Sequence, residues 1–249
     1  PLYSSAASDV YKGQKFWSFR PLAIVPPPAV KTGNWARNPI DQFILAGLEA
    51  KGLKPSKSLS KEQLIRRVTF DLTGLPPTAE DVAAFVKDTS ADAYDKVLTR
   101  LLASDRYGER WGRHWLDVVR FAESGGYEFD GDRQGAFHYR DFVIKAWNAD
   151  MPFDEFVRLQ LAGDELKPND LFASSATGFL VAGPYPGQIT AKTVEPIRYD
   201  HLDDMIATTS SAFLGLTLGC ARCHEHKYDP IPQQDYYRLI AALGRTDSM

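Results

Sequence analysis

The sequence is poor in cysteine, in long apolar runs and in charge of one sign, and each shortage excludes a class of protein. Two cysteines in 249 residues are too few for a disulfide framework, so packing must stabilise the fold. No apolar run approaches the roughly 20 residues of a membrane-spanning helix; the longest, SSAFLGLTLGC, is interrupted by glycine. The 29 basic and 32 acidic residues give a net charge of −3 without a basic cluster. Nucleic acid is therefore not expected as a partner.

The sequence does contain enough apolar residues for a substantial core, and a pattern typical of helices. Hydrophobic residues make up 44% of the chain and aromatic residues 12%. Residues 1–37 are rich in proline and predict an extended N-terminal arm. Residues 38–249 predict a mainly α-helical, multi-helix globular domain, with a capping box at Ser60 and Gln63. The predicted helices include residues 92–103, 106–123, 139–149 and 199–213, and residues 179–187 (FLVAGPYPG) predict a short buried strand.

Both cysteines lie in one short stretch, LGCARCHEHKYDPIPQQDYY, at residues 218–237. Cys220, Cys223 and His224 form the C-x-x-C-H pattern of c-type haem attachment. Two thiols at this spacing can add to the two vinyl groups of one porphyrin, and the adjacent histidine then binds the iron as proximal ligand. The stretch predicts a covalently bound haem c.

Three other interpretations of the cysteines compete with haem. A zinc site could use both cysteines with His224 and His226, although zinc ligand pairs are usually separated by a dozen or more residues. A redox dithiol is expected in a βαβ unit, whereas the sequence around Cys220 and Cys223 reads as helical. A pair of cysteines without a site function is the third alternative. The pattern favours haem and leaves these alternatives open.

Longer blocks of sequence resemble a known family. They are NPIDQFILAGLEAKGLKPS, LIRRVTFDLTGLPPT, RYGERWGRHWLDVVRFAES, YRDFVIKAWNADMPFDEFVRLQLAGDEL and LTLGCARCHEHKYDPIPQQDYYRL. In this order they resemble the planctomycete cytochrome-c-associated domain of unknown function. The resemblance spans roughly residues 16–245.

The resemblance implies a c-type haem protein, usually joined to a cytochrome-c-like domain before it and to another uncharacterised domain after it. It implies no known reaction. The resemblance suggests a monohaem redox protein with a redox partner, which would carry out electron transfer or a haem-dependent oxidation. Members of the family are often encoded near polysaccharide-degrading enzymes, so the substrate expected for such an oxidation is a glycan. Covalent haem is attached outside the bacterial cytoplasm, so we expect a periplasmic or exported location. The alternative is a non-enzymatic interaction module with a zinc or cysteine staple at Cys220, Cys223 and His224.

Two residues are candidates for the distal ligand of the iron, which decides between electron transfer and substrate chemistry. Met205 lies in the block LDDM shortly before the cysteines, and the alternative is a core methionine packed with Leu202 and Ile206. His114 lies in RHWLDVVRF, and the alternative is a core histidine hydrogen-bonded to Asp117.

Polar residues are dense in the middle of the chain. They are Arg113, Asp117, Arg120, Glu123, Tyr127, Glu128, Tyr139, Arg140, Asp141, Asp164 and Glu165. One hypothesis is a polar cleft beside the haem in which His114, Asp117, Tyr127 or Glu128 transfers protons as a catalytic residue. The other is a solvated face with ion pairs that hold loops in place.

Overall fold

The computed structural model describes residues 17–31, 34–126, 130–184, 186 and 188–246. Within these residues the chain forms ten α-helices and no strand. The helices are α1 (Pro39–Ala50), α2 (Lys61–Thr73), α3 (Ala79–Lys87), α4 (Ala93–Leu102), α5 (Asp105–Val118), α6 (Ala136–Asn148), α7 (Phe153–Leu166), α8 (Leu171–Ala176), α9 (Val194–Thr209) and α10 (Gln233–Leu243). The prediction of a mainly α-helical domain is confirmed.

Shorter helical turns connect these helices. Trp17–Phe19, Thr177–Phe179 and Leu218–Arg222 are 3-10 helices, and Ser210–Leu214 is a π-helical turn directly after α9. Of the arm, residues 21–30 form neither helix nor strand. Nowhere in the described part of the chain does a helix combine the length and apolar character required to cross a membrane.

Local signals determine where the first helices begin and end. The Asn38 side chain accepts a hydrogen bond from the Asp41 main-chain N–H at 2.9 Å, and Pro39 occupies the first helical position, where proline is favoured. Ser60 and Gln63 form the predicted capping box of α2. Gly74 ends α2 with a φ of 71°, a left-handed conformation that glycine adopts without strain. These boundaries depend on neighbouring residues alone, and the sequence predicts them.

Two predictions for the middle of the chain are wrong. The helix predicted over 106–123 ends at Val118 because Arg120 takes a φ of 53°. The strand predicted over 179–187 is absent from the described residues there. The carbonyls of Val181, Ala182 and Gly183, which a strand would pair with a neighbour, accept hydrogen bonds from the guanidinium of Arg133. Residues 180–183 are largely buried and form neither helix nor strand.

Buried side chains form three clusters. The main core lies among α5, α6, α7, α8 and α9, and its largest members include Phe142, Phe156 and Phe179. A second core joins α2, α3 and α4 through Ile65, Phe85 and Leu101, among others. The third core is small, and it consists of Ile206, Leu218, Ala221 and Tyr236. The third core holds the cysteine-containing turn between α9 and α10.

A fully buried polar group is held inside the main core. The side-chain oxygen of Gln160 accepts hydrogen bonds from the Trp115 indole N–H at 2.9 Å and from the Tyr139 hydroxyl at 2.7 Å. Its amide nitrogen donates to the Phe156 carbonyl at 3.0 Å. Burial raises the pKa of Tyr139 well above its ordinary value, so its hydroxyl stays protonated and donates.

Replacing Gln160 with leucine is expected to destabilise the protein by about 2 kcal/mol, because the buried donors of Trp115 and Tyr139 lose their shared acceptor. Urea unfolding followed by circular dichroism measures the change. Gln134→Leu is the matched control, since Gln134 is exposed. Equal stability of the two variants would show that the buried amide is dispensable.

Candidate functional site

The cysteines lie on the turn between α9 and α10. Leu218 and Ala221 of the 3-10 helix are buried in the third core, whereas Cys220 and Cys223 are exposed and unbonded to each other. Cys220 lies within the 3-10 helix, and Cys223 is the residue that directly follows it, with its main-chain N–H 3.4 Å from the Cys220 carbonyl oxygen. Both thiols are therefore exposed on one short turn, whereas Leu218 and Ala221 hold that turn in the third core.

Arg222, between the two cysteines, anchors the turn to α9. Its guanidinium donates to the carboxylates of Asp203 at 3.2 Å and Asp200 at 3.3 Å. The hydrogen bond to Asp200 and the charge of Asp203 raise the pKa of Arg222. The hydroxyl of Tyr236, a residue buried in α10, donates to Asp203, and burial raises the pKa of Tyr236. Asp203 thus joins the cysteine turn, α9 and α10.

The main chain of the turn is also held by α10. The Arg222 carbonyl accepts hydrogen bonds from the side-chain amide of Gln233 at 3.1 Å and from the hydroxyl of Tyr237 at 3.0 Å. The Glu225 carboxylate accepts the main-chain N–H of Gln233 at 2.9 Å. The residues on either side of Cys223 and His224 are therefore hydrogen-bonded to the first turn and a half of α10.

His224 is exposed, and its ring has a defined hydrogen bond. Nδ1 lies 2.7 Å from the Glu225 carbonyl oxygen. Because a carbonyl oxygen can only accept, Nδ1 is the donor in this contact, and in the neutral ring Nε2 then carries the lone pair. A neutral histidine in this tautomer can bind a metal ion through Nε2.

His226 has a different role from His224. Its side chain is 6% exposed, and its Nδ1 accepts the main-chain N–H groups of Tyr228 at 3.3 Å and Asp229 at 2.9 Å. The ring holds the turn that follows the cysteines. The described residues contain no group of three or more Cys, His, Asp or Glu side chains that could hold a metal ion. A zinc site requires such convergence, so the geometry gives the zinc alternative no support.

Attachment of a haem requires two accessible thiols that bond to the edge of one porphyrin and a histidine directed to the same porphyrin to bind its iron. Cys220, Cys223 and His224 are exposed on one short turn and meet the requirement for accessibility. Two exposed aromatic residues, Tyr228 and Tyr237, follow them in the chain. Two clefts in the described structure are lined by other residues. The residues present therefore fit a haem attached at an open surface.

The structure places the two distal-ligand candidates away from this turn. Met205 is buried in the main core with Leu202, whereas Asp203 and Ile206 contact the third core and the turn. Successive helical residues are rotated by about 100°, so Met205 lies on the opposite side of α9 from Asp203. The packing with Leu202 is that of a core methionine.

His114 is exposed on α5, and its ring lies 5.6 Å from the Trp111 ring. The alternative of a buried histidine bonded to Asp117 is wrong, since both side chains are exposed. The main packing partners of α5 are α2 and α6, which do not carry the cysteine turn. A distal role for His114 or Met205 stays a prediction without support from a contact.

The polar residues in the middle of the chain separate into different environments. Tyr127 and Glu128 lie outside the described residues. Arg140 pairs with Glu123 and Asp141, and Tyr139 is buried in the main core. The described members form no common cleft, and a catalytic role for His114, Asp117, Tyr127 or Glu128 stays a prediction.

A small cleft borders the main core at Arg133, His201, Asp204 and Met205. Asp204 pairs with Arg120. Burial lowers the pKa values of His201 and of Arg133. The adjacent acids Asp203 and Asp204 therefore have different surroundings: Asp203 contacts the cysteine turn, and Asp204 borders this cleft. Both acids belong to the sequence block LDDM, but the prediction made for that block concerned only Met205.

Residues 39–248 match the family PSCyt2, described as a protein of unknown function (DUF1549). The chain belongs to the PSCyt2 family. PSCyt2 is the planctomycete cytochrome-c-associated domain that the sequence blocks indicated, and the match begins at the first residue of α1 and includes all ten α-helices. Residues 16–38, which the sequence resemblance included, lie outside the match. No curated protein and no solved structure matches the chain.

Proposed function

We propose that this PSCyt2 chain is a c-type monohaem redox protein, with haem attached through Cys220 and Cys223 and its iron bound by His224. The observation that carries the proposal is the exposure of both thiols on one short turn, directly before an exposed histidine whose Nδ1 contacts the Glu225 carbonyl. When bound, haem supplies a one-electron redox centre.

The open position of the turn supports electron transfer in particular. Oxidation of a glycan substrate would require a binding site beside the iron, whereas the cysteine turn is exposed and two clefts in the described structure are lined by other residues. An exposed attachment site suits direct electron exchange with a redox partner. Because PSCyt2 is a cytochrome-c-associated family, a cytochrome-c-like domain is the partner we propose.

A periplasmic or exported location is part of the same proposal. Bacteria attach haem to C-x-x-C-H segments outside the cytoplasm, and the two thiols must reach that compartment reduced and exposed. Both cysteines are free and accessible in the folded chain, which is compatible with attachment at the surface.

The expected result for the full chain, expressed with a cytochrome c maturation system, is one haem per chain that survives a denaturing gel. The Cys220→Ser and Cys223→Ser double variant is expected to lose this covalent haem completely, because no thiol remains to form a thioether. His224→Ala is expected to keep the covalent haem and to change its visible spectrum, since only the iron ligand is removed.

Intact-mass spectrometry and haem staining measure attachment, and visible absorption measures ligation. His138→Ala is the control, because His138 is exposed on α6 and stacks on Phe137. A wild-type chain with the bare polypeptide mass after maturation would refute the proposal.

A further inference from the structure

The main-chain position of Cys223 depends on donors from α10. The peptide group that joins Arg222 to Cys223 carries the carbonyl that Gln233 and Tyr237 both contact. Residues four apart lie on the same face of a helix, so these two side chains approach the carbonyl together. Two donors on one carbonyl hold the plane of the peptide group that precedes Cys223.

The ring of His224 depends on the same region of α10. The Glu225 carbonyl that accepts its Nδ1–H belongs to the residue whose carboxylate accepts the Gln233 main-chain N–H. This carboxylate lies at the N-terminus of α10, where a negative charge is favourable. Gln233 therefore contacts the chain on both sides of Cys223 and His224, through its side chain on one side and its main chain on the other.

We propose that Gln233 is a positioning residue that fixes the orientation of the Cys223 thiol relative to the His224 imidazole. The inference rests on the proposed function, because this orientation matters for a haem that is bound by both residues. Groups that are held by a second set of hydrogen bonds need no reorganisation when they bind. Gln233 is half-buried against the turn, whereas the next residue, Gln234, is exposed.

Gln233→Met in the natively matured full chain tests this role, because methionine keeps the length of the side chain and the main-chain N–H but removes the amide donor. We expect the Cys223 amide, which donates to the Cys220 carbonyl, to exchange about two- to tenfold faster than in wild type, the effect of one lost hydrogen bond on local opening. We also expect a larger high-spin fraction in the visible spectrum of the bound haem. Gln234→Met, the matched control, is expected to equal wild type in both measurements.

Three outcomes decide the inference. Faster exchange at Cys223, with unchanged exchange in α10 itself, supports a positioning role. Equal exchange and equal spectra of Gln233→Met and wild type overturn it. Faster exchange throughout α10 also overturns it, since Gln233 then stabilises the helix in general. A wild-type chain without haem refutes the proposed function, whereas a haem-loaded wild type with an unaffected Gln233→Met variant refutes the positioning role alone.

Discussion

Replacement of Gly163 by alanine is expected to destabilise the protein by more than about 3 kcal/mol, at the upper end of the cost of overpacking a core. Gly163 is buried in α7, and a Cβ atom there would lie 2.1 Å from the main-chain oxygen of Ala173 and 2.9 Å from its carbonyl carbon. Because these atoms belong to the backbone of α8, no side-chain rotation relieves the clash. The helices α7 and α8 would have to separate, which opens the main core.

Urea unfolding followed by circular dichroism measures the effect. Gly47→Ala is the matched control, because Gly47 is also inside a helix but has no atom within 4 Å of the added Cβ. Alanine is favoured over glycine inside helices by up to about 1 kcal/mol, so the control is expected to be neutral or slightly stabilising. Similar stabilities of the two variants would contradict the close contact between α7 and α8.

Replacement of Arg120 by alanine is expected to cost about 3 kcal/mol, the lower end for breaking a buried ion pair, since the Asp204 side chain is 42% exposed and partly screened. The guanidinium pairs with Asp204 and donates to the carbonyls of Phe179 and Leu180 at 3.4 and 3.5 Å. It therefore connects the end of α5, residues 179–180 and α9. Its loss leaves the Asp204 carboxylate beside the main core without its cation.

Because the backbone of Arg120 is left-handed, the alanine and glycine variants at this position are expected to differ in stability. Its φ of 53° is left-handed and costs about 1–2 kcal/mol for a residue with a Cβ atom. Arg120→Gly removes the same ion pair but relieves this strain, so it is expected to be less destabilising than Arg120→Ala by about 1 kcal/mol. Thermal and urea unfolding of the two variants measure the difference. If Arg120→Gly were the less stable variant, the left-handed conformation would not be the one that the folded chain adopts.

The contacts around the cysteine turn show which part of the candidate site can be predicted from the sequence and which part cannot. The C-x-x-C-H pattern is contiguous, so the relation among Cys220, Cys223 and His224 follows from the sequence. Asp203 and Gln233 reach the same turn from helices before and after it. Their roles depend on how α9 and α10 pack, and no spacing in the sequence specifies that packing. The packing of α9 also decides which side of that helix carries Met205 into the main core, so the sequence does not predict this either.

The sequence alone determined the helical class, the capped helix starts, the absence of a disulfide framework and the position of the haem-attachment pattern, because each depends on composition or on residues a few positions apart. Only the tertiary structure decided where α5 ends, since the left-handed Arg120 contacts Asp204, a residue distant in the chain. It also decided that residues 180–184 form neither helix nor strand, because Arg133 takes the hydrogen-bonding carbonyls that a strand would use. Long-range hydrogen bonds and ion pairs override local preference at such places, since a buried polar group must find its partner wherever the fold supplies one.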